Sequence, residues 1–152
     1  MFGEKYMLGT SKHRLDSKGR LIIPSDTRVE ENDELIIINK DEFLEVWLLD
    51  TQIYQLKELE IKKLNSSSIE ELRRYQDMIN IITCNVIKTA IMDKQKRLNL
   101  SKEAIKVLDT DEVVIERMGK YIRIWPDDTF NIYREENNKG VKKLSLNKER
   151  LD

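Results

Sequence analysis

The sequence predicts an α+β protein, mostly β, built from two like halves that interleave, with helices between and after them. Three observations lead there. Asp16–Pro24 (DSKGRLIIP) returns as Asp93–Ser101 (DKQKRLNLS), each running from an aspartate through basic residues to an arginine and then turning apolar. Two further blocks repeat in the same order, Asp33–Ile37 with Asp111–Ile115 and Phe43–Trp47 with Tyr121–Trp125. A unit of roughly 40 residues used twice decides the fold before local propensity does. The segment between the copies differs in kind, with apolar residues at helical spacing. Each half alone would expose strand edges and half a core, so interleaving is expected rather than two separate beads.

The first repeat spans 7–50. Met7 and Leu8 open a strand whose side chains alternate up to Leu15, and Asp16-Ser17-Lys18-Gly19 is a turn in which Gly19 can take φ > 0 without steric cost. Leu21-Ile22-Ile23 reads as a buried strand stopped by Pro24, and Ser25 or Asp26 caps one helical turn to about Glu30. After a turn at Asn32-Asp33, strands 34–39 and 44–49 flank a polar turn at Lys40-Asp41-Glu42. The linker spans 51–84. Ile53, Leu56, Leu59 and Leu64 give one helix, Asn65–Ser68 breaks it, and Ser67/Glu70 or Ser68/Glu71 forms a capping box for the next. That helix carries Ile69, Leu72, Tyr75, Met78, Ile79 and Ile82 on one face.

The second repeat, 85–130, follows the plan of the first. It has a strand at 85–91, a turn, a strand at 97–100, a helix from Ser101 to about Val107, and strands at 112–117 and 121–125. Pro126-Asp127-Asp128 begins a final short helix. Residues 131–152 are polar and nearly without aromatics, so they bury too little to offset ordering entropy and are expected to form a mobile polar tail.

With 152 residues the chain can bury a real core, although 36% charged residues imply much solvated surface. A single cysteine, Cys84, excludes an intramolecular disulfide and a cysteine-rich zinc site. No leader and no apolar run of membrane-spanning length can be read, so a cytoplasmic protein is expected. The net charge is −1, yet it is unevenly spread. Residues 11–28 hold Lys12, Arg14, Lys18, Arg20 and Arg28 against Asp16 and Asp26. Residues 88–106 hold Lys88, Lys94, Lys96, Arg97, Lys102 and Lys106 against Asp93 and Glu103. Positive charge therefore sits on the repeated motifs, where a polyanion would be met.

His13–Pro24 (HRLDSKGRLIIP) resembles the H-x-L-D-x-K-G-R-apolar-x-apolar-P signature of the MraZ family of bacterial transcriptional regulators. The resemblance extends over residues 7–130. It implies two AbrB-like swapped-hairpin halves that exchange strands to close an intertwined small β-barrel, with both basic loops on one face. It also implies ring-like homo-oligomers that bind short direct repeats upstream of the family's own cell-division and cell-wall gene cluster. In the second motif Lys96, Asn99 and Ser101 stand where the first motif has glycine, an apolar residue and proline. Glu71-Leu72-Arg73 stands where the family shows D-x-R. Lys96 lacks the freedom of Gly19 at φ > 0, so the second turn is expected to be shaped differently and to matter less for specificity.

Phosphate contacts need Lys and Arg held on a rigid surface, and arginine adds planar, bidentate recognition of phosphate or guanine edges. Arg20 and Arg97 are the candidate base readers, with Arg14, Lys18, Lys94 and Lys96 as a phosphate clamp. The alternative is two solvated turns. Asp16 and Asp93 are expected to accept hydrogen bonds from their turns' backbone rather than to form a catalytic pair. His13 reads as structural or as a minor phosphate contact, and Cys84 as a small core residue. Trp47 and Trp125 read as packing residues rather than base-stacking ones. Tyr75 reads as core or subunit contact. No catalytic, cofactor or metal site is expected, and no small-molecule substrate or membrane. The expected partners are double-stranded DNA, placing the protein at the nucleoid, and further copies of itself. The second reading is an oligomeric interaction protein of the AbrB/antitoxin type that grips a protein partner through its tail, at Val141, Leu144 and Leu146.

Overall fold

The computed structural model describes residues 8–27 and 29–151. It is an α+β fold with mostly antiparallel sheet. The first repeat supplies β1 (Leu8–Arg14), β2 (Arg20–Ile22), a 3-10 turn (Ser25–Thr27), β3 (Glu34–Asn39) and β4 (Leu44–Leu48). Helices α1 (Leu49–Leu64) and α2 (Ile69–Cys84) follow. The second repeat supplies β5 (Val86–Ile91), β6 (Arg97–Asn99), α3 (Lys102–Leu108), β7 (Glu112–Met118) and β8 (Ile122–Pro126), and α4 (Asp127–Leu151) ends the chain.

The two repeats do not pair within themselves alone. A six-stranded sheet runs β1-β7-β8-β4-β3-β5, and a two-stranded ribbon joins β2 to β6. Each repeat's first strand therefore lies against the other repeat's third strand, Thr10 opposite Glu116 and Thr89 opposite Ile36. The two β-hairpins meet at β4–β8, where Glu45 faces Arg123. Equivalent residues fill one shared core. Leu21 and Leu98, Leu35 and Val113, Ile37 and Ile115, and Leu44 and Ile122 are all buried. Each such side chain contributes about 1.5–3 kcal/mol relative to exposure.

The aromatic residues follow the same exchange. Trp125 stacks on Phe43 of the first repeat at 4.3 Å, and Trp47 stacks on Tyr121 of the second at 4.3 Å. Both tryptophans are thus packing residues, and their indole N–H groups donate to Glu45 (Trp47, 3.0 Å) and Glu116 (Trp125, 3.1 Å).

The linker is a helical hairpin. Ser68 caps α2 by accepting from the Glu71 amide at 3.1 Å, so the Ser68/Glu71 register of the capping box is the one used. Lys63 of α1 donates to Gln76 of α2 at 2.9 Å. Tyr75 is half-buried, and Leu72 and Met78 are exposed. Cys84, expected in the core, is exposed at the last position of α2, where the helix ends just before β5 begins.

The end of the chain also departs from expectation. The final helix is not short, and residues 131–151, read from composition as a polar tail, continue α4. Its first turns are anchored where Phe130 and Tyr133 pack on Trp125, with Val114 beneath. Asp127 and Asp128 lie at the positive end of its dipole. Composition registers only the apolar residues of the segment itself, whereas this anchor is tertiary. Of the expected tail positions, the side chains of Val141 and Leu146 lie outside the described residues, while Leu144 is exposed.

Candidate nucleic-acid interface

The two repeated motifs build the same local object. In the first, the Asp16 carboxylate accepts from the backbone N–H groups of Lys18 and Arg20, both at 2.9 Å, and from Arg20 Nε at 2.6 Å. In the second, Asp93 accepts from the amides of Gln95 (2.9 Å) and Arg97 (2.8 Å) and from Arg97 Nε at 3.0 Å. The aspartate thus folds the turn and fixes the arginine at its end. Both carboxyls are held below the ordinary aspartate value, chiefly by the backbone N–H of Arg20 or Arg97, with the guanidinium adding to it.

The turns are also alike where the sequence suggested they would differ. Gly19 has φ 74° and Lys96 has φ 56°. The second turn is not reshaped; Lys96 adopts the left-handed conformation despite its Cβ. Gly19 has a second constraint, since a Cβ there would collide with the Ile105 side chain of α3.

The ribbon then sets the two arginines relative to each other. Arg20 lies opposite Asn99, Leu21 opposite Leu98, and Ile22 opposite Arg97. The Leu100 amide donates to Gly19 O at 3.0 Å and the Ile23 amide to Lys96 O at 2.8 Å, so each turn is tied to the end of the other's strand. Leu21 and Leu98 are fully buried, and strand alternation puts Arg20, Ile22, Arg97 and Asn99 on the outer face. The two arginines are two residues apart along the ribbon, about 7 Å in that direction.

Residues 6–75 match the family described as "MraZ protein, putative antitoxin-like". Over that stretch the chain is similar to the MraZ family. That match takes in the first motif and stops within α2; the second motif lies beyond it and carries the same turn.

The other predicted site residues fall into two groups. Lys18 and Lys94 are exposed on their turns and Lys96 is half-buried on its own. Arg14, at the end of β1, is instead engaged by carboxylates, with Glu112 at 2.8 Å and Asp111 at 3.9 Å, which offsets its charge. Two lysines outside the predicted set lie nearby. Lys102 and Lys106 of α3 line a cleft of about 420 Å³ together with Asp16, Ser17 and Gly19 of the first turn; Asp109 and Asp111 also border it. Sequence order assigned these lysines to the second motif. The exchange carries them to the first, and the repeat pattern was the only signal that could have said so.

His13 is structural. It shares a 2.6 Å hydrogen bond with Ser11 Oγ, which also accepts from Arg117 Nη1 at 3.1 Å, while Arg117 Nη2 donates to Asp26 at 3.1 Å. Burial first, and then the Arg117 charge, lower the His13 pKa. Among the described residues no group of three or more His, Cys, Asp or Glu side chains could hold a metal ion, and no helix is long and apolar enough to cross a membrane.

Proposed function

We propose that this protein is a sequence-specific DNA-binding transcriptional regulator that acts by binding rather than by catalysis. The observation that carries this reading is the placement of Arg20 and Arg97 on the outer face of one ribbon, each pinned through Nε by its own aspartate. A pinned guanidinium loses little freedom on binding, and its terminal nitrogens suit the O6 and N7 acceptors of guanine or a phosphate. Lys18, Lys94 and Lys96 supply the phosphate clamp, joined by Lys102 and Lys106; Arg14 contributes less because Glu112 and Asp111 already hold it.

In this reading the shared sheet and the ribbon together are the intertwined barrel of the AbrB-like swapped-hairpin type. Copies assemble into a ring through the α1–α2 hairpin, where Tyr54, Ile61, Leu64 and Ile69 are exposed by 52–80%. A ring repeats the reading face at fixed spacing, which fits short direct repeats in a promoter, such as one upstream of the chain's own cell-division and cell-wall gene cluster. Footprinting on the upstream region of its own gene tests this. Protection of regularly spaced repeats is expected; no protection, with duplex lost equally at all salt concentrations, contradicts it. The second reading, a protein partner gripped by α4, draws on Ile132 and Leu144, exposed by 61% and 69%. It takes the lead if DNA is not retained and a partner is.

A further inference from the structure

The ribbon's near two-fold symmetry is broken at one place, on its outer face. The pairing of Leu21 with Leu98 at the centre makes Arg20 the equivalent of Arg97 and Ile22 the equivalent of Asn99. The arginines preserve the symmetry; Ile22 and Asn99 do not. Ile22 is 64% exposed, directly opposite Arg97, and Asn99 is exposed directly opposite Arg20. Single exposed apolar residues are ordinary on protein surfaces. This one lies within the basic face, on a strand whose backbone is tied at both ends, next to a guanidinium that is itself fixed.

We infer that Ile22 and Asn99 are the specificity-determining pair of this face, and that they make it read a base sequence without two-fold symmetry. The inference rests on the DNA-binding reading above. Two arginines alone present the same donors to both sides of the ribbon and would favour a symmetric core. Isoleucine has no donor or acceptor and gains by covering the thymine methyl in the major groove. The asparagine amide offers both a donor and an acceptor, the pattern that matches N7 and N6 of adenine. One end of the face therefore reads by apolar contact and the other by hydrogen bonding.

Selection from a library of duplexes with randomised cores, at one fixed salt concentration, tests this with the full-length chain. Wild type is expected to recover a motif without two-fold symmetry. Asn99→Ala should relax one adenine-bearing position by roughly tenfold in preference. Ile22→Ala should relax a different position by roughly fourfold, the scale of one lost methyl contact. Ile22→Asn should move the recovered motif towards two-fold symmetry. Thermal melting of each variant confirms that these exposed substitutions leave the fold intact. Duplexes retained by all variants with an unchanged motif would overturn the inference while sparing the DNA-binding reading. A two-fold symmetric wild-type motif would do the same. Should Ile22→Asn instead change subunit number with the motif unaltered, Ile22 is a contact between copies and the inference is wrong. If wild type retains no duplex, the underlying reading fails and the inference falls with it.

Discussion

Asp16 and Asp93 are the residues on which the basic turns depend. Each gathers two backbone N–H groups and one guanidinium, so removing the carboxylate should harm DNA binding even though it removes a negative charge. Asp16→Ala is therefore expected to weaken duplex binding, measured by filter retention; stronger binding would mean that charge alone matters. The same bonds set a pH dependence. Both carboxyls titrate below the ordinary aspartate value in the folded chain, so their stabilisation is present above that value and is lost as pH falls through the lowered one. Melting temperature should drop on the acid side of the usual aspartate range, and the double variant Asp16→Asn/Asp93→Asn should show a shallower drop. Lys96 holds φ 56° at a steric cost. Lys96→Gly should stabilise the fold by up to about 1 kcal/mol, or about 2–4 °C in melting temperature. The aspartate's role was legible because an Asp that opens a turn has few other uses. The conformation of Lys96 was not, since sequence shows the steric preference of a residue but not the tertiary hydrogen bonds that override it.

Among the elements, α2 starts and α4 continues for different reasons. The start of α2 rests on Ser68, and Ser68→Ala should cost about 1 kcal/mol, read from denaturant midpoints. The capping box was legible to within one register, since Ser67/Glu70 and Ser68/Glu71 are both written in the sequence. The course of α4 was not. Its anchor is a tertiary one, Phe130 and Tyr133 on Trp125, with Trp125 also stacked on Phe43 from the other repeat. Trp125→Ala should cost about 3–5 kcal/mol, and circular dichroism should show helix lost together with sheet packing. Loss of stability with helix content unchanged would show that α4 does not depend on that cluster. The α3 helix has a comparable cross-repeat role, because Ile105 closes over Gly19. Sequence revealed the helix, but not which turn it would cover.

At the scale of the molecule, the two-repeat plan was legible because three blocks recur in order, and their equivalent apolar residues Leu21/Leu98, Leu35/Val113, Ile37/Ile115 and Leu44/Ile122 share one core. What sequence did not carry was the location of charge. Lys102 and Lys106 follow the second motif along the chain and border the first in space. The exposed apolar residues of the α1–α2 hairpin lead to the expectation of a homo-oligomer larger than a dimer, to be checked by light scattering at micromolar concentration without DNA. A monomer mass would refute it. The central claim is that the face bearing Arg20 and Arg97 binds DNA, and titrating wild type, Arg20→Ala, Arg97→Ala and Lys18→Ala against operator and random duplexes at two salt concentrations tests it most directly. Each arginine variant should lose about 1–3 kcal/mol on the operator wherever it reaches a base edge. Lys18→Ala should weaken both duplexes alike and reduce the salt slope by about one. If Arg20→Ala and Arg97→Ala leave both affinities and the salt slope at the wild-type values, the face is a solvated surface and the account is wrong.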